Sequence, residues 1–81
     1  PANAVELLAV QPPGRGARGR ETPITSAAAL ASAALPILAR RLVDKSVPWF
    51  LVGHSAGAWV GYEFARAAVT AGLPPPARAF L

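Results

Sequence analysis

Ten residues, Pro48-Trp49-Phe50-Leu51-Val52-Gly53-His54-Ser55-Ala56-Gly57, constrain this chain more than any other stretch. Proline opens a run of four apolar residues, which reads as a short strand buried on both faces. A Gly-x-Ser-x-Gly sequence follows at once, and after it a helical pattern. Strand, sharp turn and helix in that order are the context of a nucleophile elbow, with the serine at the tip of a strained turn. Glycines two residues either side let the backbones of strand and helix approach closely. Ser55 is then the candidate nucleophile, its hydroxyl standing above the sheet. The N–H of Ala56 would point toward an oxyanion developing there. The competing account is a tight strand-to-helix turn in which Ser55 only caps the helix, since serine is a preferred N-cap.

Composition narrows the field mainly by exclusion. Eighty-one residues allow one small unit, and chains this short bury a modest share of their surface. The apolar fraction is 53%, but alanine supplies much of it, so the core should be thin. With no cysteine there is no disulfide, no thiolate ligand and no thiol chemistry. One histidine and four acidic residues make a metal cage improbable, and no cofactor is implied. No stretch has the plan of a signal peptide or the roughly 18 apolar residues of a membrane span, so a cytoplasmic protein without membrane contact is expected. Neither end reads as a natural terminus, and residues 1–81 are expected to be a single central fragment of a larger domain. The net charge is +4, and Arg15, Arg18 and Arg20 cluster in one loop. No aromatics are interleaved with them to stack on bases, so nucleic acid is not the expected partner.

Along the chain, residues 4–10 read as a buried strand stopped by Gln11-Pro12-Pro13-Gly14. Residues 11–24 form a loop dense in Pro, Gly and Arg. Ser26 offers an N-cap, and a helix is expected from there to about Val43, with Leu30, Ala34, Ile37, Leu38 and Leu42 on one face. Pro36 should kink this helix without ending it. The central strand is expected at 48–53 and a second helix from about Ser55 to Ala71, with small residues Gly57, Gly61, Ala65 and Ala68 facing the sheet. Gly72 and Pro74 stop that helix. Residues 77–81 then open a third strand. The order β-α-β-α-β predicts an α/β fold with a parallel sheet.

Two motifs compete for attention. Gly14-x-Gly16-x-x-Gly19 matches a dinucleotide fingerprint, but Glu21, Thr22 and Pro23 stand where its helix should begin. His54 neighbours Ser55, yet adjacent residues leaving a strand project to different sides, so it is a poor general base for that hydroxyl. Asp44 precedes the serine, whereas in hydrolases with this elbow the acid and then the histidine follow it. Neither residue is given a triad role.

The residues Val5-Glu6-Leu7-Leu8-Ala9-Val10-Gln11-Pro12-Pro13-Gly14-Arg15-Gly16-Ala17-Arg18 resemble the strand-and-loop signature of type II thioesterases, members of the α/β-hydrolase superfamily. Gly53-His54-Ser55-Ala56-Gly57-Ala58, with Gly61-Tyr62-Glu63-Phe64-Ala65-Arg66 after it, is similar to the family's elbow and following helix. The resemblance spans essentially the whole chain and implies a partial α/β-hydrolase fold. It further implies hydrolysis of acyl thioesters from the phosphopantetheine arm of an acyl or peptidyl carrier protein, in polyketide or nonribosomal peptide synthesis. Ser55 matches the acylated nucleophile and Ala56 one oxyanion donor. Arg15 and Arg18 match the loop, where a contact to the arm's phosphate or to the acidic carrier is the functional expectation. A carboxylesterase or lipase on the same fold, and a non-catalytic scaffold segment, are the alternatives.

The departures from the family matter too. Its earlier strand, and the Gly-rich turn that gives the second oxyanion N–H, have no match in this chain; nor have the later acid and histidine. That earlier strand would lie between residues 4–10 and the nucleophile strand, leaving them two spacings apart, roughly 10 Å. The 81 residues alone are therefore expected to be poorly stable and inactive as an enzyme.

Overall fold

In the computed structural model, residues 5–12, 14, 16–22 and 24–81 are described. Two helices and two short strands form, in the order α1 (Ala27–Leu42), β1 (Phe50–Val52), α2 (Ala56–Thr70) and β2 (Arg78–Phe80). The strands pair in parallel, with Leu51 opposite Ala79. One hydrogen bond continues the pairing at each end: Ala77 N–H to the Trp49 carbonyl at 2.8 Å, and Gly53 N–H to the Phe80 carbonyl at 2.9 Å. The unit β1-α2-β2 is thus a parallel crossover through a helix, the connection that parallel strands require.

Each helix ends as its sequence dictates. Ser26 caps α1, and Arg40 and Arg41 stand in its last turn, where cations complement the helix dipole. Pro36 sits inside α1, on its exposed side, and the helix runs through it as one element. At the end of α2, Gly72 N–H bonds the Val69 carbonyl at 3.0 Å and Leu73 N–H the Ala68 carbonyl at 3.0 Å. With Gly72 at φ 84°, this is a Schellman stop, which needs the left-handed conformation that glycine adopts without cost.

The core lies between the helices and under β1. Ala31 and Leu42 of α1 and Phe64 and Ala68 of α2 are buried, with Leu35, Leu38, Trp49, Leu51 and Leu73 packed around them. The Trp49 and Phe64 rings meet edge to face, centroids 5.9 Å apart, and Trp49 Nε1–H donates to the Pro74 carbonyl at 2.9 Å. That bond pins the approach to β1 against the connection between α2 and β2. Gly61 is buried because β1 and the chain end crowd it. A Cβ there would stand 2.8 Å from Leu81 Cδ2 and 3.6 Å from Leu51 Cδ2.

Three expectations need correction. Residues 5–10, expected as a buried strand, form no strand and are exposed, Val5 at 90% and Leu7 at 89% (Ala4 lies outside the described residues). A strand needs a neighbour's donors and acceptors, and no described strand runs beside this segment. Glu6 is held instead by an ion pair with Arg41 of α1. Second, β1 is not buried on both faces: Leu51 turns inward, while Phe50 is 60% and Val52 76% exposed. Of the helices, α2 packs against β1, on one face only, and alternate side chains point away from it. Third, the face of α1 that meets the core runs through Ala31, Ala34, Leu35, Leu38 and Leu42, so Ala34, Leu38 and Leu42 lie as expected while Ile37 is left 73% exposed. Ile37 stands roughly 100° around the helix from Leu38, off the stripe that meets the core. The partial α/β fold with a parallel sheet is otherwise as expected.

Candidate active site

The junction between β1 and α2 carries the candidate site. Ser55 occupies the N-cap of α2 with φ 57° and ψ −123°, and it is the one non-glycine residue with positive φ among those described. Those angles belong to the first central position of a type II′ turn, a place dominated by glycine. The turn's hydrogen bond is present, from Gly57 N–H to the His54 carbonyl at 2.9 Å. Ala58 N–H then bonds the Ser55 carbonyl at 2.9 Å, and the helix begins. A serine side chain in this conformation is strained by about 1–3 kcal/mol, the cost typical of sparsely populated backbone regions at functional sites.

The serine hydroxyl gains nothing for the fold from that position. It makes no cap hydrogen bond, so the simple capping account of Ser55 fails. Ser55 and Ala56 are both exposed. Ala56 is the first residue of α2, where an N–H has no acceptor within the helix and is available to a developing negative charge. Gly53 makes the tight geometry possible: a Cβ on it would lie 2.5 Å from the Gly57 carbonyl oxygen and 3.0 Å from Ala58 Cα. Gly57 differs, for a Cβ there would meet nothing within 4 Å. Of the two glycines in the motif, the first is demanded by the packing of this chain.

The other titratable residues near in sequence have local tasks. His54 is exposed and supplies its carbonyl to the turn. Asp44 accepts the Ser46 hydroxyl at 2.7 Å and the Ser46 N–H at 2.9 Å. Those two donors, the hydroxyl first, hold its carboxyl below the ordinary aspartate range. It forms the turn after α1.

The arginine loop folds on itself. A 3-10 turn covers Gly16–Arg18, and α1 starts only at Ala27, so no helix N-terminus faces the glycines as a dinucleotide site requires. Arg15 lies outside the described residues. Arg18 is paired with Glu21, Nε to Oε2 at 2.7 Å and Nη2 to Oε1 at 2.7 Å, and its Nη1 donates to the Gln11 carbonyl at 2.9 Å. The pairing holds the Glu21 carboxyl below its usual range and lifts Arg18 above its own. Sequence reasoning singled out Arg18 and missed its partner, though an Arg and a Glu three residues apart across a turn are the signal for such a pair.

A parallel α/β unit whose first strand runs into a strained, uncapped serine at the head of a helix defines the class: an α/β fold with a nucleophile-elbow geometry. A family profile for the thioesterase domain matches residues 1–80, and the chain belongs to that family. Among solved structures it is similar to RedJ, determined with a polyethylene glycol molecule bound in the active site. The two are 39% identical and superpose with a TM-score of 0.75, over 86% of this chain and 28% of the RedJ chain. The protein therefore spans little more than a quarter of that relative's length. Among proteins with curated descriptions, none matches it significantly in sequence. No helix among the described residues is long and apolar enough to cross a membrane.

Proposed function

We propose that this chain is the nucleophile-bearing central part of a type II thioesterase, which removes acyl groups from the phosphopantetheine arm of carrier proteins in polyketide or nonribosomal peptide biosynthesis. Ser55 Oγ attacks the thioester carbonyl, its proton passing to a general base outside these 81 residues. The oxyanion forms against the Ala56 N–H. Collapse breaks the C–S bond, and the thiol leaves with a proton. Water then cleaves the acyl-serine ester, releasing the acid and restoring the hydroxyl. The observation that carries this reading is the backbone of Ser55: a non-glycine residue held at φ 57° and ψ −123° with its hydroxyl unused in capping. Strain of that kind persists where the surrounding structure holds it and clusters at active sites.

The test uses the full-length enzyme. A fluorophosphonate should label Ser55, and Ser55→Ala should abolish both the adduct and thioester turnover. Turnover of an acyl carrier protein should exceed that of a simple ester with the same acyl chain. The reverse preference would favour a carboxylesterase or lipase on this fold. Absence of any adduct on Ser55 would sink the catalytic reading and leave a scaffold segment.

A further inference from the structure

Arg18 spends its donors inside its own loop. The side-on fork of its guanidinium grips both Glu21 oxygens, and Nη1 reaches back to the Gln11 carbonyl. Its own carbonyl accepts Gly14 N–H at 2.8 Å and Glu21 N–H at 3.1 Å. Residues 11, 14 and 21 are thereby all tied to residue 18. Single ion pairs on a surface usually contribute little, but a bidentate pair built into a backbone network is the exception. The fork that suits a carboxylate also suits a phosphate, and here Glu21 already fills it. Arg20 is exposed, and among the described residues no ion pair involves it.

We propose that Arg18 and Glu21 act as one positioning unit, a clamp that holds Gln11, Gly14 and Glu21 of this loop around residue 18. The loop serves carrier recognition through that arrangement, with Arg20 as a cation left to meet the acidic partner, and not through a phosphate held by Arg18. The carrier in this statement rests on the function proposed above; the clamp itself does not. Glu21 thereby becomes a functional residue that the thioesterase reading alone does not assign.

The experiment compares Arg18→Gln, Glu21→Gln, the double variant and Arg18→Lys in the full-length enzyme. Hydrogen exchange at the Gly14 amide reads the clamp without any need for activity. Exchange should accelerate in both single variants, at least as much in Arg18→Gln, which also loses the bond to the Gln11 carbonyl, and in the double by no more than in Arg18→Gln, because the pair acts as one unit. In each, the KM for an acyl carrier protein, divided by that for the matching acyl-pantetheine, should rise about tenfold, as for a lost charge-assisted pair. Arg18→Lys should give no rescue, since an ammonium lacks the planar fork. A Glu21→Gln enzyme with a wild-type or lower KM ratio, while Arg18→Gln raises it, would overturn the proposal by showing that Arg18 itself touches the partner. So would single effects that multiply, Arg18→Lys behaving as wild type, or lost amide protection with every KM ratio unchanged. Should the wild type show neither turnover nor a Ser55 adduct, the functional reading fails, while Gly14 exchange still decides the clamp.

Discussion

Ser26 opens α1 from extended backbone, φ −100° and ψ 133°, and its Oγ accepts the Ala29 N–H at 3.2 Å. Ser55 opens α2 from φ 57° and ψ −123° and accepts nothing from the helix it heads. The residue type and the position relative to the helix are the same. At the first, hydroxyl and backbone both work for the fold; at the second, the backbone is strained and the hydroxyl adds no cap bond. A hydroxyl that satisfies an orphan helix donor is occupied, whereas one held out on a strained turn is free to react. The contrast separates a serine that caps its helix from one whose hydroxyl is left uncommitted, as the proposed nucleophile requires.

The sharpest way to break this comparison is to exchange activity for structure at each serine. Ser55→Ala should lower thioester turnover of the full-length enzyme by at least about 10³-fold, as removal of a nucleophile does. Ser26→Ala should leave turnover per folded molecule within about twofold, because its hydroxyl serves only a helix end. Comparable losses in both variants, measured as kcat on a carrier-bound acyl group, would erase the distinction.

The next largest effect tests what holds Ser55 in place. Gly53→Ala drives a Cβ toward the Gly57 carbonyl oxygen, 2.5 Å away, and both partners are backbone at the turn. The variant should lose about 1–3 kcal/mol, the usual cost of overpacking, read from the thermal or denaturant midpoint. Gly57→Ala meets no neighbour within 4 Å. It should be neutral or gain up to about 1 kcal/mol from helix propensity. Equal losses at the two glycines would show that the motif is held by something other than the contact at Gly53.

At the serines themselves the sign of the stability change should differ. Ser26→Ala should cost about 1 kcal/mol through loss of the cap. Ser55→Gly should raise stability by about 1–2 kcal/mol while destroying activity, since glycine enters this conformation without strain. Ser55→Ala keeps the Cβ and should not share that gain. A Ser55→Gly protein that unfolds earlier than wild type would refute the strain argument.

How much of this was legible beforehand depends on whether a residue's environment is local. The extents of α1 and α2, the Ser26 cap and the Gly72 stop follow from neighbours within one turn, and the sequence reading placed them within a residue or two. The elbow was legible too, because Gly-x-Ser-x-Gly between an apolar run and a helix leaves few other backbones. Residues 5–10 were misread because strand formation depends on a partner, and apolar composition cannot report whether one lies alongside. On α1 the core positions Ala34, Leu38 and Leu42 were legible from their spacing, whereas Ile37 lies off that stripe and is exposed although its size suits a core. The Arg18–Glu21 pair was missed because the arginines were read as free charge in a loop rather than as donors in search of local acceptors.

A third serine gives the smallest and most specific test. Ser46, like Ser26, spends its hydroxyl locally, donating to Asp44 at 2.7 Å beside its own N–H at 2.9 Å. The Asp44 carboxyl is held below its ordinary value by that hydroxyl first and the N–H second. A depressed carboxylate stabilises the fold above its unfolded pKa, and the contribution is lost as pH falls through the folded value. The window therefore lies below about pH 4, and the effect on stability is small because the group is exposed. Titration of the Asp44 carboxyl by NMR should show its pKa rising toward the ordinary value in Ser46→Ala. Salt should matter little, since both donors are neutral dipoles in contact. Glu21 is depressed chiefly by a hydrogen bond from a full charge, Arg18, so its shift should shrink as salt rises. If Asp44 did not move in Ser46→Ala, the Ser46 hydroxyl would not be spent on the turn, and its likeness to Ser26 would fail.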